Sequence, residues 1–208
     1  MSDPTTFRVG VLASGTGTNL QAILDQLHGG GQIEVVAVGS DKPAAQALDR
    51  GARAGIETAV FERAAYQDRE ARDLAMAEWL DGRDVQLVVL AGYMQLLSAA
   101  FVRRFANRII NLHPALLPAF PGIGAIEKAL EHGVRITGVT IHYVDEGVDS
   151  GPILLQRPVP VPPDRDLGAL EEAIHATEHA LLPQAIRMIA EGRVEIEPGT
   201  RVVRILAD

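Results

Sequence analysis

The segment Asn111-Leu112-His113-Pro114 carries the side chains of this sequence that are best suited to acyl-transfer chemistry. It ends an apolar run, and Pro114 disfavours a helical conformation at His113, so the segment is predicted to be extended. Residues two apart in an extended chain face the same side, which places Asn111 and His113 together. An amide can stabilise a developing oxyanion, and an imidazole can carry a proton. The alternative is that Asn111 begins a turn and that His113 is an ordinary surface histidine.

A second group of polar residues lies in the loop 145–152, which reads Asp-Glu-Gly-Val-Asp-Ser-Gly-Pro. Acidic residues among glycines are usually solvated turn residues. A functional interpretation is that one of these carboxylates pairs with His113, orients the ring and favours its protonated form. The residues alone do not select which carboxylate would do so.

The third candidate is the glycine-rich turn Ser14-Gly15-Thr16-Gly17-Thr18-Asn19, between the first predicted strand and the first predicted helix. Glycines let the backbone approach a ligand, and a helix N-terminus favours a phosphate. We expect Thr18 or Asn19 to cap the helix. The dinucleotide fingerprint fails because Leu20 occupies the position of its third glycine. The turn therefore indicates a monophosphate site, or else a plain tight turn.

These candidates lie at junctions in an alternation of strands and helices. The apolar patterns predict strands at 9–13, 33–38, 56–60, 87–91, 108–112, 136–144 and 153–156. They predict helices at 20–27, 43–54, 66–80, 98–105, 125–130 and 167–190, with Pro43 at the first helical position of the second helix. Such alternation is typical of an α/β fold: a mostly parallel, Rossmann-like twisted sheet with helices on both faces. We expect one domain over 1–208, with halves at about 7–106 and 107–192 and a short tail that forms a hairpin or lies on the surface.

Composition excludes several classes of function. The 208 residues include 19 basic and 27 acidic residues and no cysteine, so a nucleic-acid-binding surface, a thiolate nucleophile and a sulfur-based zinc site are not expected. The six histidines show no ligand spacing, so we predict no metal. The most apolar stretch, 87–97, is about half the ~20 residues of a membrane span. Residues 1–6 show no signal-peptide pattern, so a cytoplasmic protein is predicted.

From about Phe7 to Val194, the chain resembles the phosphoribosylglycinamide formyltransferase family, whose members use folate in purine biosynthesis. Four motifs carry the resemblance: Ser14–Ile23, Val89–Met94, Asn111–Pro118 and Asp149–Pro152. The third is shared by the wider formyltransferase superfamily, and the first is more specific. The resemblance implies transfer of a formyl group from 10-formyltetrahydrofolate to the amine of glycinamide ribonucleotide, by a monomer or homodimer without a metal.

The resemblance also implies roles for individual positions. The implied catalytic residues are Asn111, His113 and Asp149. The implied ribonucleotide-binding residues are Gly17, Thr18, Asn19 and Glu178. The implied folate contacts are Arg69, Met94, Gln95, Leu96, Leu97, Val144 and Asp145. The apolar members of the last group are equally compatible with a place in the core.

Three positions depart from the family pattern. Gly124 stands where many members have histidine, Gln95 where several have arginine, and His175 where lysine or glutamine is common. These departures concern the folate and ribose contacts rather than the implied catalytic residues. His142, on a long predicted strand, is interpreted as a structural histidine.

Several other functions compete with this one. A formyl-tetrahydrofolate hydrolase shares the Asn-x-His chemistry, but it usually carries an extra N-terminal domain, for which a first strand at about residue 7 is expected to leave no room. Methionyl-tRNA formyltransferase usually has an RNA-binding C-terminal domain, which a chain this short and acidic is not expected to include. The failed fingerprint argues against a dehydrogenase. A non-catalytic nucleotide-binding module would leave the shared face of Asn111 and His113 without a role.

Overall fold

The computed structural model describes residues 6–206, so nearly all of the N-terminal segment 1–6 on which the signal-peptide prediction rests lies outside it. The chain forms two compact units that divide after Ile110, within a strand. Seven strands form a mostly parallel sheet, which confirms the predicted α/β class. Among the described residues, no helix is both long enough and apolar enough to cross a membrane.

The first unit is a parallel sheet with its connecting helices. Its strands are β1 (Phe7–Leu12), β2 (Ile33–Ser40), β3 (Glu57–Val60), β4 (Leu87–Leu90) and the start of β5 (Ile109–His113). Its helices are α1 (Thr18–Leu27), α2 (Gln46–Arg53), α3 (Arg69–Asp81) and α4 (Ala99–Arg104), with a 3₁₀ turn at Arg63–Ala65. The strand order is β3-β2-β1-β4-β5. The central strand β1 pairs in parallel with β2 and β4 and is buried from Val9 onward, as its apolar run predicts.

Two loops of the first unit meet at the carboxyl ends of neighbouring strands. The glycine-rich turn follows β1, and residues 91–98 follow β4. The amide of Ser14 donates to the carbonyl of Gly92 at 3.0 Å, so the two loops are in contact. This end of a parallel sheet is where ligands bind in open α/β folds.

The second unit contains the rest of β5 and the remaining elements. These are α5 (Ala125–Glu131), β6 (Ile136–Tyr143), β7 (Ile153–Pro160), α6 (Leu167–Ala190), β8 (Val194–Ile196) and β9 (Val203–Ile205). The strand order is β5-β6-β7, with β7 antiparallel to β6. The tail forms an antiparallel hairpin of β8 and β9, one of the two arrangements predicted for it.

Three local predictions need correction. Pro43 lies in a turn before α2, which begins at Gln46. Helix α3 begins at Arg69 rather than near residue 66, because the carboxylate of Asp68 accepts the amide N–H of Ala71 and fixes the helix start there. Strand β7 extends to Pro160, beyond the apolar run that predicted it, because its pairing with β6 continues to that residue.

Candidate functional site

The second unit brings the side chains of Asn111, His113 and Asp149 together. The Asn111 Nδ2 group donates to Asp149 Oδ1 at 3.3 Å, and His113 Nδ1 lies 3.3 Å from Asp149 Oδ2. The same carboxylate accepts the backbone N–H of Gly122 at 2.7 Å. Of the acidic residues in its loop, Asp149 is therefore the one that pairs with His113.

Strand alternation and an unusual loop conformation create this arrangement. Asn111 and His113 are the third and last residues of β5, and Leu112 between them is buried. Asp149 has φ of 50°, in the left-handed region that disfavours residues other than glycine. A residue other than glycine keeps this conformation only when other contacts hold it there, and here the contacts of the carboxylate do so.

His142 belongs to the same cluster, although the sequence indicated only a structural role. Its Nδ1 atom lies 2.8 Å from the carbonyl oxygen of Tyr143, which can only accept, so Nδ1 carries the hydrogen in the neutral ring. Nε2 then accepts from Asn111 Nδ2 at 3.1 Å and lies 3.5 Å from Asp149 Oδ1. The signal in the sequence is that Thr140 and His142 take alternate positions on a strand whose neighbouring residues Val139 and Ile141 are apolar, and both polar side chains are buried.

The surroundings of the cluster lower the pKa values of both Asp149 and His113, for different reasons. The His142 ring, whose Nε2 atom donates when the ring is protonated, and the Gly122 amide lower the pKa of Asp149 to about 2. Burial lowers the pKa of His113, although Asp149 and the Phe120 carbonyl both act to raise it. Asp149 therefore influences the pKa of His113 in the predicted direction, and burial opposes it with the larger effect.

Backbone groups complete the surroundings of His113. Its Nε2 atom lies 2.9 Å from the carbonyl oxygen of Phe120. Neither this carbonyl nor the Gly122 amide could be predicted, because backbone groups have no signature in the sequence. A cavity of about 390 Å³ opens beside Asp149, and its walls include Leu117, Pro118, Pro121, Val148, Ile153 and Arg201. The cluster therefore borders a space that can admit a ligand.

In the first unit, the glycine-rich turn has the backbone geometry that its sequence predicts. Gly17 adopts φ of 72° and is the capping residue of α1, so neither Thr18 nor Asn19 occupies the capping position. Gly17 takes the capping position because the turn needs a left-handed residue there. Arg50, which the sequence analysis did not select, donates from Nε to the carbonyl of Thr16 at 2.8 Å. A helix N-terminus beside a cation suits a phosphate.

The residues proposed to contact folate in the first unit lie largely on the surface. The side chains of Met94 and Leu96 are 61% and 60% exposed, so these two are not core residues. Leu97 is partly buried, and Arg69 is exposed at the first turn of α3. The Gln95 amide, in contrast, is held by other side chains of the unit, Asp41 and Arg72.

In the second unit, Val144 and Asp145 are partly exposed after β6. The Asp145 Oδ1 atom accepts from the Gly147 amide at 3.0 Å and from Ser150 Oγ at 2.7 Å, so this carboxylate stabilises the loop. Glu178 is buried in α6.

Two of the departures from the family pattern have a local structural context. Gly124 starts α5 with φ of 72°, a conformation that favours glycine over histidine. The ring of His175 stacks on that of His179, one turn later in α6, with 6.4 Å between centroids.

Comparison with known proteins was made for the whole chain. A family model described as formyl transferase matches residues 7–186. Phosphoribosylglycinamide formyltransferase of Bacillus subtilis (strain 168) is 38% identical over 86% of this chain and 92% of its own length. The crystal structure of glycinamide ribonucleotide transformylase 1 from Symbiobacterium toebii has a TM-score of 0.93 and 50% identity, covering 97% of this chain and 95% of that one.

Longer relatives also match. Trifunctional purine biosynthetic protein adenosine-3 of Drosophila melanogaster is 43% identical over 92% of this chain. This chain spans only 14% of the length of that protein and 20% of its Bos taurus counterpart.

Proposed function

This chain belongs to the formyl transferase family, and from that premise we propose that it transfers the formyl group of 10-formyltetrahydrofolate to the amine of glycinamide ribonucleotide. The products are formylglycinamide ribonucleotide and tetrahydrofolate, as a step of purine biosynthesis. The observation that carries the proposal is the cluster in which Asp149 bridges Asn111 and His113 within 3.3 Å of each. An amide donor, an imidazole and a carboxylate are the groups that acyl transfer to an amine requires.

The reaction assigns a task to each member of the cluster. The substrate amine attacks the formyl carbon, a C–N bond forms, and the carbonyl oxygen becomes an oxyanion that accepts a hydrogen bond from the Asn111 amide. That amide already donates to His142 at 3.1 Å and to Asp149 at 3.3 Å. The bond to Asp149 is the longer of the two, and we expect it to be exchanged for the bond to the oxyanion.

His113 moves the proton. Because burial lowers its pKa, the ring is neutral at pH 7 and can accept a proton from the nitrogen that has attacked. The imidazolium is stabilised by the ionised Asp149 and then donates the proton to the folate nitrogen as the bond between that nitrogen and the formyl carbon breaks. No covalent bond to the enzyme forms, so the reaction needs no nucleophilic side chain.

Substrate binding uses the remaining predicted residues. In the first unit, the turn with Gly17, Thr18 and Asn19 is proposed to hold the ribonucleotide phosphate, with Arg50 nearby as an additional cation. In the second unit, Glu178 is proposed to contact the ribonucleotide. The folate is proposed to contact Arg69, the segment 94–97, Val144 and Asp145. We further propose a cytoplasmic monomer or homodimer, folded as a single domain, that acts on these small molecules alone.

The test is turnover of 10-formyltetrahydrofolate by the purified protein, with and without glycinamide ribonucleotide. Release of tetrahydrofolate is followed by absorbance, and the formylated ribonucleotide is identified by mass spectrometry. We expect release that depends on the ribonucleotide. Equal release without it would indicate the hydrolase instead, and no release under either condition would contradict both activities.

A further inference from the structure

In the first unit, buried polar side chains outside the proposed catalytic cluster form a hydrogen-bonded network. Ser14, Asp41, Arg72 and Asp73 are exposed by 4%, 7%, 1% and 0%. Burying charged groups is costly unless each is paired and hydrogen-bonded. The hydrogen bonds that these side chains make therefore indicate which part of the backbone they hold in place.

Gln95 is the uncharged residue at the centre of this hydrogen-bonded network. Its Nε2 group donates to Asp41 Oδ2 at 3.0 Å, and its Oε1 atom accepts from Arg72 Nη1 at 3.4 Å. Beyond these neighbours, Asp41 Oδ1 accepts from Ser14 Oγ at 2.5 Å, and Arg72 Nη2 pairs with Asp73 Oδ1 at 2.7 Å. A side-chain amide can donate to a carboxylate on one side and accept from a guanidinium on the other without carrying a charge.

The same side chains fix the backbone that follows β4. Ser14 Oγ accepts the amide N–H of Met94 at 2.8 Å, Arg72 donates to the carbonyl of Leu96 at 3.4 Å, and Asp73 Oδ2 accepts the amide N–H of Ser98 at 2.5 Å. The backbone is thus held at every second residue. The side chains of Met94 and Leu96 nevertheless remain about 60% exposed. Exposed apolar side chains on a fixed backbone form a preorganised binding surface.

We propose that Gln95 is a positioning residue for the folate-binding surface formed by Met94 and Leu96. The proposal rests on the proposed function, which assigns folate to this segment. Gln95 acts by holding Asp41 and Arg72 in place, and its own amide is occupied by them rather than by the ligand. Ser14, which takes part in the same hydrogen-bonded network, is the first residue of the glycine-rich turn.

The decisive variants exchange the acid and the amide. Gln95→Glu keeps the size of the side chain but places a second carboxylate at position 95, where it faces the carboxylate of Asp41. Asp41→Asn loses at least one hydrogen bond in every orientation of the two amides: two amide N–H groups face each other, the Gln95 N–H faces Arg72, or the Ser14 hydroxyl loses its acceptor. The double variant Asp41→Asn/Gln95→Glu restores every bond: Asn donates to Glu, still accepts from Ser14 Oγ, and Glu accepts from Arg72.

The measurements are KM and kcat for 10-formyltetrahydrofolate at saturating ribonucleotide. We expect Gln95→Glu to raise KM about tenfold, the size of effect when one buried hydrogen-bond partner is lost, while kcat changes less than about threefold. The double variant should return KM to within about threefold of the native value. Gln32→Glu makes the same change at an exposed position outside this hydrogen-bonded network and should leave KM and kcat unaltered.

The outcomes separate the two proposals. A native protein that transfers no formyl group contradicts the proposed function. A native protein that does transfer it, with KM unchanged in Gln95→Glu or not restored in the double variant, overturns the positioning role alone. If circular dichroism shows that Gln95→Glu does not fold, Asp41→Asn is compared with the double variant, with the same expectation and the same refutation.

Discussion

Replacing Asp149 by asparagine removes a charge from the catalytic cluster while preserving the shape of the side chain. The native carboxylate accepts the Gly122 amide at 2.7 Å and lies 3.3 Å from His113 Nδ1. The nearby His142 ring, when it is protonated, has the largest effect on its pKa, which falls from 3.8 to about 2. Asparagine can keep one acceptor for the Gly122 amide but cannot carry the charge.

The pKa shift sets the size of the expected effect on stability. The fall from 3.8 to about 2 corresponds to at most ~2 kcal/mol of folding free energy, at about 1.4 kcal/mol for each pKa unit. The side chain is 13% exposed, and solvent screening reduces this contribution. Because the folded-state pKa is the lower one, the stabilisation is present above about pH 4 and is lost as the pH falls from about 4 to about 2.

Urea unfolding of the native protein and of Asp149→Asn, at pH 7 and at successively lower pH, measures this contribution. We expect a difference of up to ~2 kcal/mol above pH 4 that shrinks below pH 4. Asp84→Asn is the matched control, since Asp84 has φ of 51° but an exposed side chain. A pH-independent difference, or an equal difference for Asp84→Asn, would show that the backbone rather than the charge is responsible and would refute the reasoning.

Three further predictions concern the same protein. Asn111→Ala should lower kcat by ~10²–10³ without unfolding the protein, as loss of an oxyanion donor does; near-native turnover would remove Asn111 from the catalytic role. Gly17→Ala should lower the unfolding free energy by about 1–2 kcal/mol, because of its positive φ and a Cβ placed 2.8 Å from α2. Gly15→Ala, with nothing within 4 Å of the added Cβ, should change it by less than about 0.5 kcal/mol, and equal losses would contradict the steric argument. An NMR titration should place the pKa of His113 below 6.5, and lower still in Asp149→Asn; a value above 6.5 would show that the carboxylate outweighs burial.

Local rules of the chain account for the part of the site that could be predicted. Strand alternation predicts that Asn111 and His113 share a face, and the two side chains do contact the same carboxylate. The glycine-rich turn was predicted in the same way, from a strand, two glycines and an apolar helix period. Each of these inferences uses residues a few positions apart, where backbone geometry follows directly from sequence.

The unpredicted features depend on residues far apart in the chain. The partner of His113 lies 36 positions later, and the acids of its loop differ in role only because the loop folds with Asp149 in a left-handed conformation. The Phe120 carbonyl and the Gly122 amide are backbone groups, which every residue has. The direction of the His113 pKa shift could not be predicted, because a sequence does not reveal how much burial opposes a neighbouring carboxylate.

Gln95 and Asn111 show why an amide suits positions between charged groups. Each lies between titratable or charged side chains, Gln95 between Asp41 and Arg72, and Asn111 between His142 and Asp149. An amide does not titrate, so its hydrogen-bonding capacity does not depend on pH. A sequence pattern that assigns such a residue to the ligand therefore misses its second task, which is to hold the neighbouring charges at fixed positions. For Gln95 that task occupies both ends of the amide, so under our proposal the residue that departs from the family pattern acts on the segment 94–97 through its neighbours.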